Sequence, residues 1–244
     1  MVAQNISVPV VERVLNIDLK KYFCLMCFST TASFVASGVL AVTGTIALLK
    51  VKNPSDRLFA AIPLLFAIQQ FSEGFVWFTM NDANGIAISN IAVYIFLFFA
   101  LITWPIFLPL SILMMEKNII QKKILRFLTL TGMVISLFMV YVIVFRNISA
   151  QAMFLHMHYN VDYPYDLPFI SIMPYFIVTA IPQFISSVGK MKWFGLAIVA
   201  SFLLTNIYFK ENVPSVWCFF AALSSIIIIL IVMKTRRTVI NKYD

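Results

Sequence analysis

The sequence predicts an all-α, polytopic integral membrane protein with seven transmembrane helices, its amino terminus outside and its carboxyl terminus cytoplasmic. Three observations lead there. The 244 residues are 61% hydrophobic and 11% charged, whereas about a quarter of a soluble domain is charged. A helix that crosses a bilayer needs roughly 20 mostly apolar residues. Seven such runs occur, at about 25–49, 58–79, 87–114, 124–145, 167–188, 193–209 and 213–233, and they leave no room for a soluble domain. Third, the basic residues fall in alternate connections: segments 50–57, 115–126, 189–192 and 234–244 hold 13 of the 18. The positive-inside rule puts those segments in the cytoplasm. The dissent is Lys20-Lys21, ahead of the first run on the outer side. A net charge of +8 is thereby explained by topology, and nucleic acid is not an expected partner; the lipid bilayer is.

Residues 1–24 lack the basic start, apolar core and small-residue cleavage site of a secretory signal. Val10, Val11, Val14, Leu15, Leu19 and Tyr22 share a helical face, so a tail or a helix lying on the membrane surface is expected. The transmembrane domain then covers 25–233, and 234–244 forms a basic cytoplasmic tail.

The first run opens Met26-Cys27-Phe28-Ser29-Thr30-Thr31, polar for a helix entering lipid. Hydroxyls there suit close helix packing and place polar groups in the outer third. The second run carries Gln69-Gln70-Phe71-Ser72-Glu73-Gly74-Phe75-Val76-Trp77, and Glu73 is the charge that stands out within the apolar runs. At 3.6 residues per turn Gln69, Glu73 and Trp77 share a face with Gln70 beside it. So much polarity must face protein or a wet cavity, since a carboxylate in hydrocarbon is costly and usually functional.

The third run contains Trp104-Pro105 and Pro109, and the fifth Pro168, Pro174 and Pro182, each of which removes a backbone hydrogen bond and is expected to bend its helix. The fourth, Leu125 to Phe145, reads as a lipid-facing spacer. The long outer connection from Arg146 to Asp166 holds both histidines, His156 and His158, and reads as a lid or binding loop. The sixth run ends with Thr205-Asn206, and the seventh begins Val213-Pro214-Ser215-Val216-Trp217-Cys218, which sets Cys218 at the depth of Cys27.

These positions predict an outward-facing polar pocket between the first, second and seventh runs. Glu73 is its charge or proton partner, Gln69, Gln70, Trp77, Ser29, Thr30 and Asn206 are ligand-binding candidates, and an apolar inner half closes it. Cys27, Cys218, His156 and His158 are of the types zinc or copper takes, without a recognised spacing. The two cysteines are expected as buried thiols, with a disulfide as the alternative. No phosphate loop, nucleophile elbow or HExxH is present.

The stretches Met26 to Phe34, Pro63 to Trp77, His156 to Tyr159 and Trp217 to Ala222 resemble a family of small bacterial multi-pass membrane proteins. The shared pattern is Met-Cys-Phe-Ser-x-x-Ala-Ser-Phe, then Gln-Gln-x-x-Glu-Gly-x-x-Trp, a histidine-bearing loop and Trp-Cys-x-x-Ala-Ala. The resemblance starts at Met26 and implies seven spans in the bacterial inner membrane. It implies no activity and no cofactor.

Three functions fit the residues. The first is binding or transport of a small molecule, ion or metal at Glu73. The second is a lipid-acting, metal-dependent hydrolase within the membrane, with Glu73 as acid or base and a histidine assisting. The third is a structural or assembly subunit whose polar stripe holds a partner helix.

Overall fold

A computed structural model describes residues 29–79, 86–153, 156–163, 168–209 and 212–240. Helix α1, Thr30–Lys50, starts where the Ser29 side chain accepts a hydrogen bond from the Ala32 N–H. After the 3₁₀ turn Pro54–Asp56 and the short turn Arg57–Ala60 comes α2, Ile62–Thr79. Helix α3, Ile86–Leu97, continues through a π-helical segment, Phe98–Thr103, into α4, Trp104–Met115. Helix α5, Ile119–Phe145, is capped by Asn118, which accepts from the Ile120 N–H at 2.9 Å. Strands β1, Ile148–Met153, and β2, His156–Val161, are followed by α6, Pro168–Ile185, α7, Met191–Tyr208, α8, Val213–Ser224, and α9, Ile227–Ile240.

Among the described residues, six stretches are long and apolar enough to cross a membrane: Thr30–Lys50, Pro54–Thr79, Ser89–Met115, Ile119–Phe145, Met191–Tyr208 and Val213–Met233. The expected fifth run contributes a shorter apolar helix, Met173–Ile185. The expected surface helix of the first 24 residues lies outside the described residues.

Helices adjacent in sequence are adjacent in space. Helix α1 packs on α2, α2 on α3, α4 on α5, α5 on α6, α6 on α7 and α7 on α8, and α9 returns to α1. The last helix thus closes back on the first, and among the described residues the buried side chains gather in three clusters between the helices. A broad face of α5, including Phe127, Leu130, Val134, Leu137 and Val144, stays exposed, as a lipid-facing helix requires. Its other face is not a spacer: Gly132 and Ser136 pack against the proline-bearing third span.

That third span shows what its prolines do. Rather than a simple bend, the helix widens into π geometry before Pro105, a deviation often found at functional sites. In the π register the Ala100 carbonyl would take the N–H of residue 105, which proline lacks. The Tyr175 hydroxyl of α6 donates to that carbonyl instead, at 2.5 Å, and Ser136 of α5 donates to the Ile102 carbonyl at 2.7 Å. The Pro105 carbonyl, whose α-helical partner would be the absent N–H of Pro109, lies against Gly132. A Cβ on Gly132 would sit 1.9 Å from that oxygen, so only glycine fits.

The connection after α5 is a β-hairpin rather than an irregular loop. Its strands pair antiparallel from Ile148↔Val161 to Met153↔His156. Met157-His158-Tyr159-Asn160 alternates apolar and polar, the period of a strand with one buried face. Met157 and Tyr159 are buried, whereas His158 is half-buried and Asn160 exposed. The buried face seats on the bundle through a Tyr159–Phe96 ring stack, centroids 4.6 Å apart, and through α8.

At the opposite end Glu116 ties α4 to the α6–α7 turn. Its carboxylate accepts from the Lys117 and Asn118 N–H groups at 2.9 and 3.0 Å and from the Ser187 N–H and hydroxyl at 2.7 and 2.6 Å. Burial disfavours its charge, but these donors outweigh burial and hold the carboxyl below its ordinary value.

Candidate functional site

The site is built on one stripe of α2. Gln69, Gln70 and Glu73 are each at most 1% exposed, so the polar stripe turns into the bundle and away from lipid. Phe71 and Phe78 cover the lipid side of the same helix. Gly74 makes this orientation possible, because a Cβ there would sit 2.8 Å from the Phe34 ring of α1.

Glu73 is held from two directions. Its Oε1 accepts from the hydroxyl of Ser215 on α8, and its Oε2 accepts from Gln70 Nε2 at 3.2 Å. Gln69 reaches across the interior, its Oε1 accepting from Trp104 Nε1 at 2.8 Å, and the Trp104 ring stacks on Phe66 with centroids 3.9 Å apart. The Gln69 carboxamide also lies beside the Cys218 thiol, although its Nε2 does not meet hydrogen-bond geometry there. Tyr159 closes the site from the hairpin. Burial first, then the neighbouring Glu73 and Cys218, push its hydroxyl well above the ordinary tyrosine range.

The polar groups around Glu73 are incompletely satisfied. Among the described residues, Gln69 Nε2, Gln70 Oε1, Trp77 Nε1, Tyr159 Oη and Trp217 Nε1 are buried without a hydrogen-bond partner. Such groups are rare and costly. The Glu116 carboxylate, by contrast, is surrounded by donors that all reach it.

Beyond Trp104 and Cys218 lies a cavity of about 20 Å³, lined also by Tyr175, Thr179 and Trp217. That is room for about one water molecule.

Of the candidates named from sequence, the structure brings together Glu73, Gln69, Gln70 and Cys218. Trp77 is half-buried one turn beyond Glu73. Ser29 and Thr30 are half-buried at the start of α1, where Ser29 serves as the helix cap. Asn206 is exposed on α7 and does not enter the site. Cys27 lies outside the described residues. His156 pairs with Met153 at the start of β2, and half-buried His158 alternates with the inward-facing Met157 and Tyr159. Among the described residues no three His, Cys, Asp or Glu side chains converge on a metal-sized site, and Cys218 forms no disulfide.

The structure adds Ser215, Trp104 and Tyr159. Ser215 sits one helical turn before Cys218, so the depth argument that selected the thiol, extended by one turn, would have found the hydroxyl. Tyr159 was missed, because its segment reads as a loop; its one signal is the two-residue alternation of Met157-His158-Tyr159-Asn160.

No curated protein and no solved structure matches this chain. One family model does, over residues 26–243, which begins at the Met26 of the first motif and takes in every residue of the Glu73 cluster. The chain therefore belongs to DUF6629, a family of unknown function.

Proposed function

We propose that this is a seven-span protein of the bacterial inner membrane, amino terminus outside, that binds or transports a small polar solute, ion or metal at Glu73. The observation that carries the reading is a carboxylate enclosed in the bundle among polar groups left without partners. The buried Glu116 carboxylate looks different, with donors from four groups of the surrounding backbone and side chains. An intramembrane carboxylate with an unfinished hydrogen-bond shell is a binding-site feature by default.

The seven spans and the orientation rest on linked arguments. Pro168–Ile185 counts as the remaining span, short only in its described apolar part. The turn at Pro54–Asp56 packs against α4, and Glu116 at the end of α4 bonds the α6–α7 turn, so the connections rich in Lys and Arg share one end of the bundle. That end is cytoplasmic by the positive-inside rule. The hairpin and Glu73 then lie in the outer half.

Thermal unfolding of the purified protein, measured against a panel of mono- and divalent cations and small zwitterions, tests the function. A solute that stabilises the wild type and leaves Glu73→Gln unmoved is the expected result. Identical stability and identical responses of the two proteins across the panel would refute it.

A further inference from the structure

We propose that the end of α1 carries a site for one acidic phospholipid, its phosphate held between the Lys50 and Lys52 ammonium groups and an acyl chain laid along the exposed face of the helix. This site is separate from Glu73, and either leaflet can supply its lipid.

A groove of about 400 Å³ opens where α1 ends, lined by Ile46, Leu49, Lys50, Val51 and Lys52. That volume falls within the roughly 300–1,000 Å³ of sites that take a small molecule. Two lysines and three apolar side chains share the groove, which is the combination that a phosphate joined to hydrocarbon requires.

Depth fits the same occupant. Helix α1 has 21 residues, so it rises about 30 Å, the thickness of the hydrocarbon core. Lys50 is its last residue and Lys52 lies just past the Val51 C-cap, which sets both at the level of lipid phosphates. Val39, Val42, Ile46 and Leu49 recur at spacings of three and four along one face, and each is exposed. From Leu49 back to Val39 this ridge covers about 15 Å, the hydrocarbon depth of one leaflet. An acyl chain that leaves the groove therefore meets apolar surface throughout its leaflet.

Charge selects an acidic headgroup. Lys50 and Lys52 are both exposed, whereas Asp56, the acidic residue of the adjoining turn, is buried and accepts from the Ser55 hydroxyl. Lys50 also complements the negative end of the α1 dipole. Lys52 lies beyond the helix, and the dipole does not account for it. The positive-inside preference explains lysines at this end of a span, but it does not require both of them to line one groove with apolar walls. A zwitterionic headgroup brings its own ammonium to the phosphate and gains little from the two lysines. An acidic headgroup gains from each.

Native mass spectrometry of the full chain, released from micelles doped with equal amounts of phosphatidylglycerol and phosphatidylcholine, tests this. The expected result is one phosphatidylglycerol retained in preference to phosphatidylcholine. That preference should fall about fivefold in Lys50→Gln and about fivefold in Lys52→Gln, from about 1 kcal/mol for each basic residue at an anionic surface. Lys50→Arg and Lys52→Arg, which keep the charge, should keep the preference. Both positions are exposed, so the variants should fold, and an unchanged unfolding midpoint in uncharged, lipid-free detergent checks this. The double variant Lys122→Gln/Lys123→Gln, which removes two charges from the first turns of α5, should leave the preference intact. An equal fall in that variant, or equal retention of the two lipids by the wild type, overturns the site. Excess glycerol 3-phosphate, which offers the phosphate without the chains, should not displace the lipid. Displacement would assign the groove to a soluble phosphate and overturn the lipid.

Discussion

The Ser215 hydroxyl of α8 donates to Glu73 Oε1 of α2, joining residues 142 positions apart in the chain. No other hydrogen bond described here links the second span to the last. It fixes where the carboxyl points, and Gln70 completes the restraint from within α2.

Ser215→Ala should therefore destabilise the protein. It leaves a buried carboxyl oxygen without its donor, a loss of about 1–3 kcal/mol. Thermal unfolding in one detergent should show the midpoint fall, whereas Ser215→Thr, which keeps the hydroxyl, should lose less.

Gly132→Ala should be worse than its size suggests. The added methyl falls on the Pro105 carbonyl, so α4 and α5 must separate, and overpacking of this kind costs about 1–3 kcal/mol or more. Lower folded yield and a lower unfolding midpoint are expected. A wild-type midpoint would mean that the close approach of these helices is not what holds them.

Glu116 predicts a pH dependence. Its folded value is depressed, so its contribution is present above the ordinary carboxylate range and is lost as pH falls through the depressed value. Glu116→Gln should lower the unfolding midpoint at neutral pH and flatten its fall on acidification. A parallel pair of midpoint–pH curves would exclude the role.

Tyr159→Phe should leave stability unchanged or raise it, since the hydroxyl it removes is buried without a partner. The Phe96 ring stack survives the change. Asp162→Asn, which breaks a partly exposed ion pair, should cost under about 1 kcal/mol. Denaturant or thermal unfolding of the two variants checks both statements.

Span positions were legible because hydrocarbon imposes length and composition on each run, and the helical starts at Thr30, Ile119 and Met191 fall within a few residues of the apolar runs or precede them. Glu73, Gln69 and Gln70 were legible because a polar stripe at helical spacing cannot face lipid. The hairpin was not, because a two-residue period over six positions in a polar segment is weak against a loop reading. Neither was the Gly132–Pro105 contact: sequence shows a proline and a glycine, but which freed carbonyl meets which bare Cα is decided by helix packing. Asn206 shows the reverse failure: its place near the end of the sixth run was legible, while the direction of its side chain, set by rotation of α7, was not available.

The separation of 142 residues between Glu73 and Ser215 also orders the life of the nascent chain. A membrane protein made from its amino terminus inserts α2 long before α8 leaves the ribosome. During that interval the most polar stripe of the molecule waits without its principal donor, and the hairpin that covers it has no α8 to seat on. Completion of the last span is the event that finishes the Glu73 site, so a chain truncated before Val213 leaves Glu73 Oε1 without its Ser215 donor.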